Sequence, residues 1–250
     1  MDMGIKGKKI VITGASKGLG LGIVKRLAIE GAHIIAHFNS GDISEAQNAA
    51  ESAGVEFTAF QADLSKEKEC FVLAEKIIGC GDIYGLVNNA GVCIFQDFLD
   101  IDMQSFDFTF AVNIKSVFIL TQQIAKHMAQ NGMKGRIVNF SSIAAASGSA
   151  TQVHYGAAKG AVSAFTKAAS VALGKYGITV NAILPGPIPT QHNSAFLFDN
   201  EVKKGLFERM PLMSYGDPAN IADAVVYFLG EHANWTTGAL FSVDGGFLSK

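Results

Sequence analysis

An apolar run, Ile10-Val11-Ile12, leads directly into Thr13-Gly14-Ala15-Ser16-Lys17-Gly18-Leu19-Gly20. An amphipathic segment follows, with Ile23, Val24, Leu27 and Ala28 at helical spacing. This order of strand, glycine turn and helix constrains the chain more than any other stretch. Glycine tolerates the tight turn, and the missing Cβ lets backbone N–H groups at a helix N-terminus approach a pyrophosphate. The arrangement is that of a dinucleotide-binding βα unit. Its spacing is Thr-Gly-x-x-x-Gly-x-Gly rather than the commoner Gly-x-Gly-x-x-Gly.

The alternation continues to the end of the chain. Strands are expected at Lys9–Thr13, His33–His37, Glu56–Gln61, Ile83–Asn88, Gly135–Phe140, Thr179–Leu184 and Leu240–Val243. Helices are expected at Gly18–Glu30, Ser44–Ala53, Lys66–Ile78, Gln104–Asn131, His154–Tyr176, Glu201–Arg209 and Pro218–Gly230. Such alternation predicts an α/β fold: a doubly wound, parallel, seven-stranded sheet with helices on both faces. The 250 residues suit one domain over 1–250, large enough to bury roughly three-quarters of its unfolded surface.

Composition excludes several function classes. Twenty basic and 22 acidic residues leave a formal charge of -2 with no basic stripe, so nucleic acid is not an expected partner. No apolar run approaches the roughly 20 residues of a membrane span, and no signal-peptide pattern opens the chain. Cys70, Cys80 and Cys93 are odd in number and lack Cys-x-x-Cys spacing, which fits a reducing, cytoplasmic setting. No metal site is expected. Cys93 reads as a small wall residue rather than a nucleophile, since no base flanks it.

Tyr155 and Lys159 lie four residues apart in an Ala-rich helical run, and so on one helix face. Ser142 precedes Tyr155 by 13 residues. A free phenol, with a pKa near ~10, is a poor acid–base catalyst at neutral pH. An ammonium at about 4 Å contributes on the order of 4 kcal/mol at an effective dielectric of ~20. That attraction would bring the phenol to roughly 7. Ser142 would bind the oxygen on which charge changes. Ser141 is adjacent, but neighbouring strand residues face opposite ways.

These features, with Asp63-Leu64, Asn88-Asn89-Ala90-Gly91, Asn113, Pro185-Gly186-Pro187-Ile188-Pro189-Thr190 and Val243-Asp244-Gly245-Gly246 in order, make the chain resemble the short-chain dehydrogenase/reductase family over essentially its whole length. The resemblance implies a catalytic set of Asn113, Ser142, Tyr155 and Lys159. Tyr155 would exchange the proton, Ser142 polarise the carbonyl, Lys159 act on Tyr155 and the nicotinamide ribose, and Asn113 order a relaying water. Gly14, Ser16, Gly18, Leu19 and Gly20 would surround the adenosine and pyrophosphate. Leu64 would lie beside them. Asp63 would accept from the adenine amino group, although alone it reads equally as a helix cap. Asn88, Asn89, Ala90 and Gly91 would floor the site, with Pro185, Gly186, Ile188 and Thr190 at the carboxamide end.

NAD-specific sites of this kind carry an acid at the end of the second strand. Here that place falls on Phe38, followed by Asn39 and Ser40, with no acid before Asp42. Lys17 supplies a cation inside the glycine loop. NADP(H) is therefore the expected cofactor, ahead of NAD(H).

The expected activity interconverts a secondary alcohol and a ketone, or a sugar hemiacetal and a lactone. The resemblance extends equally to sugar dehydrogenases and to 3-oxoacyl-carrier-protein reductases, so the substrate is a sugar, a polyol or a 3-oxoacyl thioester. The alternative is a catalytically silent NADP(H)-binding regulator. Segment 187–215 is expected to be a substrate lid. Substrate candidates are Ser142, Ile94, Gln96, His154, Gln191 and Phe196, with His192, Asn193, Phe95, Phe98, Phe140 and Phe198 nearby. His154 reads equally as a helix-start residue. Phe108, Phe118, Ile119, Val171 and Leu173 exceed the stripe one sheet would cover. With the family's two-fold helix pairing, they predict a homotetramer.

Overall fold

The computed structural model describes residues 2–191 and 193–250. Seven parallel strands form one sheet: β1 Lys9–Thr13, β2 His33–Phe38, β3 Phe57–Gln61, β4 Ile83–Asn88, β5 Arg136–Phe140, β6 Thr179–Pro185 and β7 Leu240–Val243. Their spatial order is β3-β2-β1-β4-β5-β6-β7. The winding direction therefore reverses between β1 and β4. In open parallel sheets a ligand crevice forms there, outside the carboxyl ends of the strands.

The central strands are buried on both faces because helices cover both. Alternation along β1 sends Ile10 and Ile12 to one core and Val11 to the other. The first core is sealed by α1 (Gly18–Ile29), α2 (Ser44–Ser52) and α10 (Pro218–Leu229), through residues such as Leu27, Ala46 and Phe228. The second is sealed by α3 (Glu67–Ile78), α5 (Ser116–Gln130) and α7 (Val153–Gly174), through Leu73, Leu120, Ile124 and Ala169. Each fully buried Leu or Phe contributes on the order of 1.5–3 kcal/mol. At the start of α10, Asp217 and Asn220 form a reciprocal capping box around Pro218, the first helical residue, which fixes the entry of that helix.

The expected helix Gln104–Asn131 is not continuous. It divides into α4 (Met103–Phe110), a π-helical turn at Ala111–Lys115, and α5. Apolar periodicity does not see this break, because one π-turn shifts the register without interrupting the buried stripe. Asn113 sits inside that turn, fully buried.

Residues 186–191 and 193–217 leave the sheet, and the second stretch forms the short α8 (Ser194–Leu197) and α9 (Asn200–Arg209). It carries its own aromatic packing. Tyr215 meets Phe198 and Phe207 edge-on at 5.8 and 5.0 Å, and its hydroxyl donates to the Leu197 carbonyl.

Candidate active site

A cleft of about 580 Å³ opens where the sheet reverses direction. One end is the glycine turn. Gly14 and Gly18 have φ of 68° and 55°, a region that suits glycine. A Cβ on Gly20 would lie 2.0 Å from the Gly14 carbonyl oxygen, so only glycine fits the close crossing there. Lys17 is extended and supplies no side-chain cap to α1. The first backbone N–H groups of α1 thus remain available at the cleft, as a phosphate requires. A glycine cradle at a helix start, with room for close backbone approach, fits a dinucleotide.

Three side chains brace this turn. Asn89 Nδ2 donates to the Thr13 carbonyl at 2.8 Å, and the Ala90 N–H donates to Thr13 Oγ1 at 2.9 Å. The Gly14 N–H donates to His37 Nδ1 at 3.2 Å. His37 Nε2 must then carry the ring proton, which it donates to the Ala62 carbonyl at 3.0 Å. Burial lowers the His37 pKa, outweighing that carbonyl contact and favouring the neutral ring that can accept from Gly14. Sequence reading did not assign His37 this bracing role. A histidine ending a buried strand was the available signal.

Most of the expected cofactor residues line this cleft: Gly14, Ser16, Lys17, Gly18, Leu19, Gly20, Asn39, Ser40, Asp63, Leu64, Asn89, Ala90, Gly91, Pro185, Gly186, Ile188 and Thr190. Phe38 does not. It ends β2 between His37 and Asn39, which both face the cleft, so alternation turns Phe38 away. Asn88 is also absent from the floor. It is buried beneath, with Nδ2 donating to Thr121 Oγ1 at 2.9 Å and to Asn139 Oδ1 at 2.8 Å. Asp63 reaches the cleft while its Oδ1 accepts from the Ser65 N–H at 3.0 Å and the Ser65 hydroxyl at 2.7 Å.

The other end gathers Ser142, Tyr155 and Lys159. Ser142 follows β5, just ahead of the short α6 (Ala144–Ser147), and Tyr155 and Lys159 share a face of α7. The two serines separate cleanly. Ser141 Oγ donates to the Lys159 carbonyl at 2.9 Å and pairs with Ser163 at 2.7 Å. Ser142 Oγ instead accepts from the Ala144 N–H at 3.1 Å and lines the cleft together with Tyr155. Lys159 is almost wholly buried. Its Nζ donates to the Phe140 carbonyl at 2.8 Å and lies 5.8 Å from the centre of the Tyr155 ring.

This geometry corrects the electrostatic expectation. The lysine does not bring Tyr155 toward neutrality. Burial pushes the phenol above its ordinary value, and the neighbouring Ser142 hydroxyl pulls only partly back. Burial likewise pushes Lys159 down to about 8. Desolvation outweighs attraction because neither group has a close counter-charge.

Of the expected substrate residues, Ser142 and Phe196 line the cleft and four do not. Ile94 alternates between Cys93 and Phe95, which do. Gln96 turns back, its Nε2 donating to the Asp100 carbonyl at 2.8 Å. Gln191 points to the exterior. His154 is buried, with no protein partner for either ring nitrogen, so its helix-start position places it in the interior. His192 lies outside the described residues. Phe95, Phe140 and Asn193 reach the cleft, whereas Phe98 and Phe198 do not. Gln152 and Leu206 line it and were not anticipated. Gln152 Nε2 donates to Cys93 Sγ at 2.9 Å; Cys93 is exposed at the cleft wall, yet desolvation there raises its thiol, which fits a wall rather than a nucleophile.

Comparison with known proteins agrees with this architecture. A family model described as enoyl-(acyl carrier protein) reductase matches residues 14–248. The chain is 38% identical over 248 residues to an L-rhamnose 1-dehydrogenase (NADP(+)) of Thermoplasma acidophilum, covering 97% of each. It superposes with a TM-score of 0.93 on a proposed 2-deoxy-D-gluconate 3-dehydrogenase of Agrobacterium tumefaciens solved with bound NADP, at 31% identity and 98% coverage of each chain. A short-chain dehydrogenase/reductase of Serratia marcescens gives 0.90 at 32% identity, covering 98% of this chain and 99% of that one.

Proposed function

The chain belongs to the short-chain dehydrogenase/reductase family, and from that premise we propose that it is an NADP(H)-dependent oxidoreductase acting on a sugar or polyol. It interconverts a secondary alcohol and a ketone, or a hemiacetal and a lactone. The observation that carries this reading is the meeting of Ser142, Tyr155 and Lys159 at one end of a cleft whose other end is the glycine turn.

Each residue has a distinct task. In reduction Tyr155 gives its phenolic proton to the substrate oxygen, and in oxidation it takes that proton back. Ser142 donates to the same oxygen and stabilises charge developing there. Lys159, with its lowered pKa, accepts or returns a proton near neutral pH and offsets a transient tyrosinate. Asn113 holds the loop carrying Gly91 and Val92 against the reacting end. NADP(H), when bound along the glycine turn, supplies or accepts the hydride. Lys17 at the turn and the absence of an acid at Phe38-Asn39-Ser40 support a 2′-phosphate. So do the NADP(+) in the Thermoplasma relative's name and the NADP in the Agrobacterium structure.

The same relatives favour sugars over acyl thioesters. Segment 187–215 acts as a lid, with the Phe196 ring tilted against that of Phe95 at 4.6 Å in the cleft lining. Four copies assemble through α5 and α7 and through the β7 edge.

NADPH oxidation with a panel of keto-sugars, and NADP reduction with simple sugars and polyols, tests the assignment. Turnover that disappears in Tyr155→Phe, with NADPH binding retained, is the expected result. Tight NADPH binding with no turnover on any sugar, lactone or acyl thioester would favour the silent regulator instead.

A further inference from the structure

The amino-terminal ends of the strands form a second concavity, of about 1020 Å³, on the side of the sheet opposite the cleft. Its walls come from the starts of β1, β4 and β5 and from the loop after α10. Four cations line it (Lys8, Lys9, Lys134 and Arg136) against two carboxylates, Asp82 and Glu231. Arg136 is the unusual member. It is only 6% exposed, and it forms no ion pair among the described residues. Its Nη1 donates to the Lys134 and Gly135 carbonyls at 3.2 and 3.0 Å, while Nε has no partner. A buried guanidinium without a counter-anion is costly. Lys8 and Arg136 both lie against the Tyr84 ring, at 5.1 and 5.8 Å from its centre. Trp235, 96% exposed, stands at the rim.

We propose that this concavity binds a phosphate-bearing small molecule, its phosphate on Arg136, Lys134 and Lys8 and any planar ring on Trp235. The excess of two positive charges matches a phosphate dianion. The planar guanidinium fork suits two oxygens of one phosphate. An indole face is a good stacking surface for a planar ring. The chemistry is separate from that of the cleft, because the two sites occupy opposite ends of the strands.

Trp235 is the chain's single tryptophan, so its emission reports this site alone. The protein without cofactor is titrated at constant ionic strength with inorganic phosphate, ribose 5-phosphate and adenosine monophosphate. Sodium chloride and adenosine serve as controls. A saturable change in Trp235 emission is expected with the phosphate-bearing ligands and not with the controls. If adenosine monophosphate binds far more tightly than phosphate, the ring contact with Trp235 contributes. If all three match, the oxyanion alone is recognised. Arg136→Gln should abolish saturation. Lys134→Glu, at an exposed position, should weaken it by about tenfold or more, the loss expected of one charge-assisted contact, while turnover in the cleft is unchanged. Should Arg136→Gln fail to fold, Lys134→Glu decides the matter. Emission that follows ionic strength alone, or saturation identical in Lys134→Glu, would overturn the proposal.

Discussion

Asn113 and Val92 exchange two hydrogen bonds: Asn113 Nδ2 donates to the Val92 carbonyl at 2.8 Å, and the Val92 N–H donates to Asn113 Oδ1 at 3.1 Å. The remaining Nδ2 hydrogen goes to the Thr109 carbonyl at 3.0 Å. Both amide protons are thus committed to the protein. The side chain ties the π-turn between α4 and α5 to the loop after β4. Gly91 fits beneath it: a Cβ there would lie 2.8 Å from Asn113 Oδ1 and 3.3 Å from Lys159 Nζ. Any water relay at this position would have to use the backbone, or the remaining lone pair of Oδ1.

Asn113→Leu should therefore damage the fold as well as the chemistry. It strands the Val92 N–H and two carbonyls, and a buried unpaired polar group costs about 1–3 kcal/mol. Urea unfolding should show a loss of about 2–4 kcal/mol, with a parallel fall in kcat. An unchanged unfolding midpoint would show that the bonds to Val92 add nothing to stability.

The buried lysine predicts an unusual pH dependence of stability. Lys159 titrates at about 8 in the fold against 10.5 ordinarily. Between those values the unfolded chain binds the proton and the folded chain does not, so stability contributed at this site rises with pH. From pH 8 to pH 10 the gain is about 2–3 kcal/mol at ~1.36 kcal/mol per unit. Tyr155 acts with the opposite sign, but only above its ordinary 10.0, where the fold retains a proton that the unfolded chain loses. Denaturant unfolding of wild type and Lys159→Met across this window isolates the effect. Parallel stability curves for the two proteins would exclude a depressed Lys159.

The parallel sheet, the extent of its strands and the glycine turn were legible because they follow from two local codes, alternation and glycine placement. Strand ends differ from expectation by no more than a residue. Two kinds of feature were not legible. The π-turn around Asn113 leaves the apolar period intact, so a single helix was the natural reading. Residues of the substrate end, such as Ile94, Gln96, His154 and Gln191, sit near the cleft in sequence. Which way each side chain points is set by loop path rather than by period. Phe38 illustrates the boundary case. Its position at the end of β2 was legible, but strand alternation gives its cleft place to His37 and Asn39. The electrostatics failed for a different reason. Spacing locates Lys159 near Tyr155 but says nothing of burial, and burial sets the direction of both pKa shifts.

Lys17 should carry part of the preference for NADP(H). It is an exposed cation in the cleft lining beside Ser16 and Gly18. Lys17→Glu places a carboxylate where a 2′-phosphate would sit, and the ratio of kcat/KM for NADPH over NADH should fall by about tenfold or more, roughly 1.4 kcal/mol. The wild-type preference should also weaken with added salt, since the contact is solvent-exposed. Equal kcat/KM for the two cofactors in wild type would remove Lys17 from this role.

Self-association makes the last test. Phe118 on α5 is 47% exposed, with its ring centre 5.4 Å from that of Phe165 on α7, and Val171 on α7 is 83% exposed. Ile119 and Leu173, expected on the same surface, pack instead into the second core, and Phe108 lines the cleft. The exposed apolar surface of these helices is therefore narrower than their sequences imply, and Phe118 and Val171 are its remaining large members. A second patch lies at the sheet edge, where Phe241 on β7 and Tyr227 on α10 are 47% and 43% exposed. Two such patches on perpendicular two-folds generate a tetramer. Light scattering should give a mass four times the 26.4 kDa of the chain. Phe118→Glu buries a charge in the first interface and should reduce the assembly to a dimer held by the edge strands. A wild-type monomer would refute the helix pairing, whereas a wild-type dimer that Phe118→Glu converts to monomer would refute only the interface at β7.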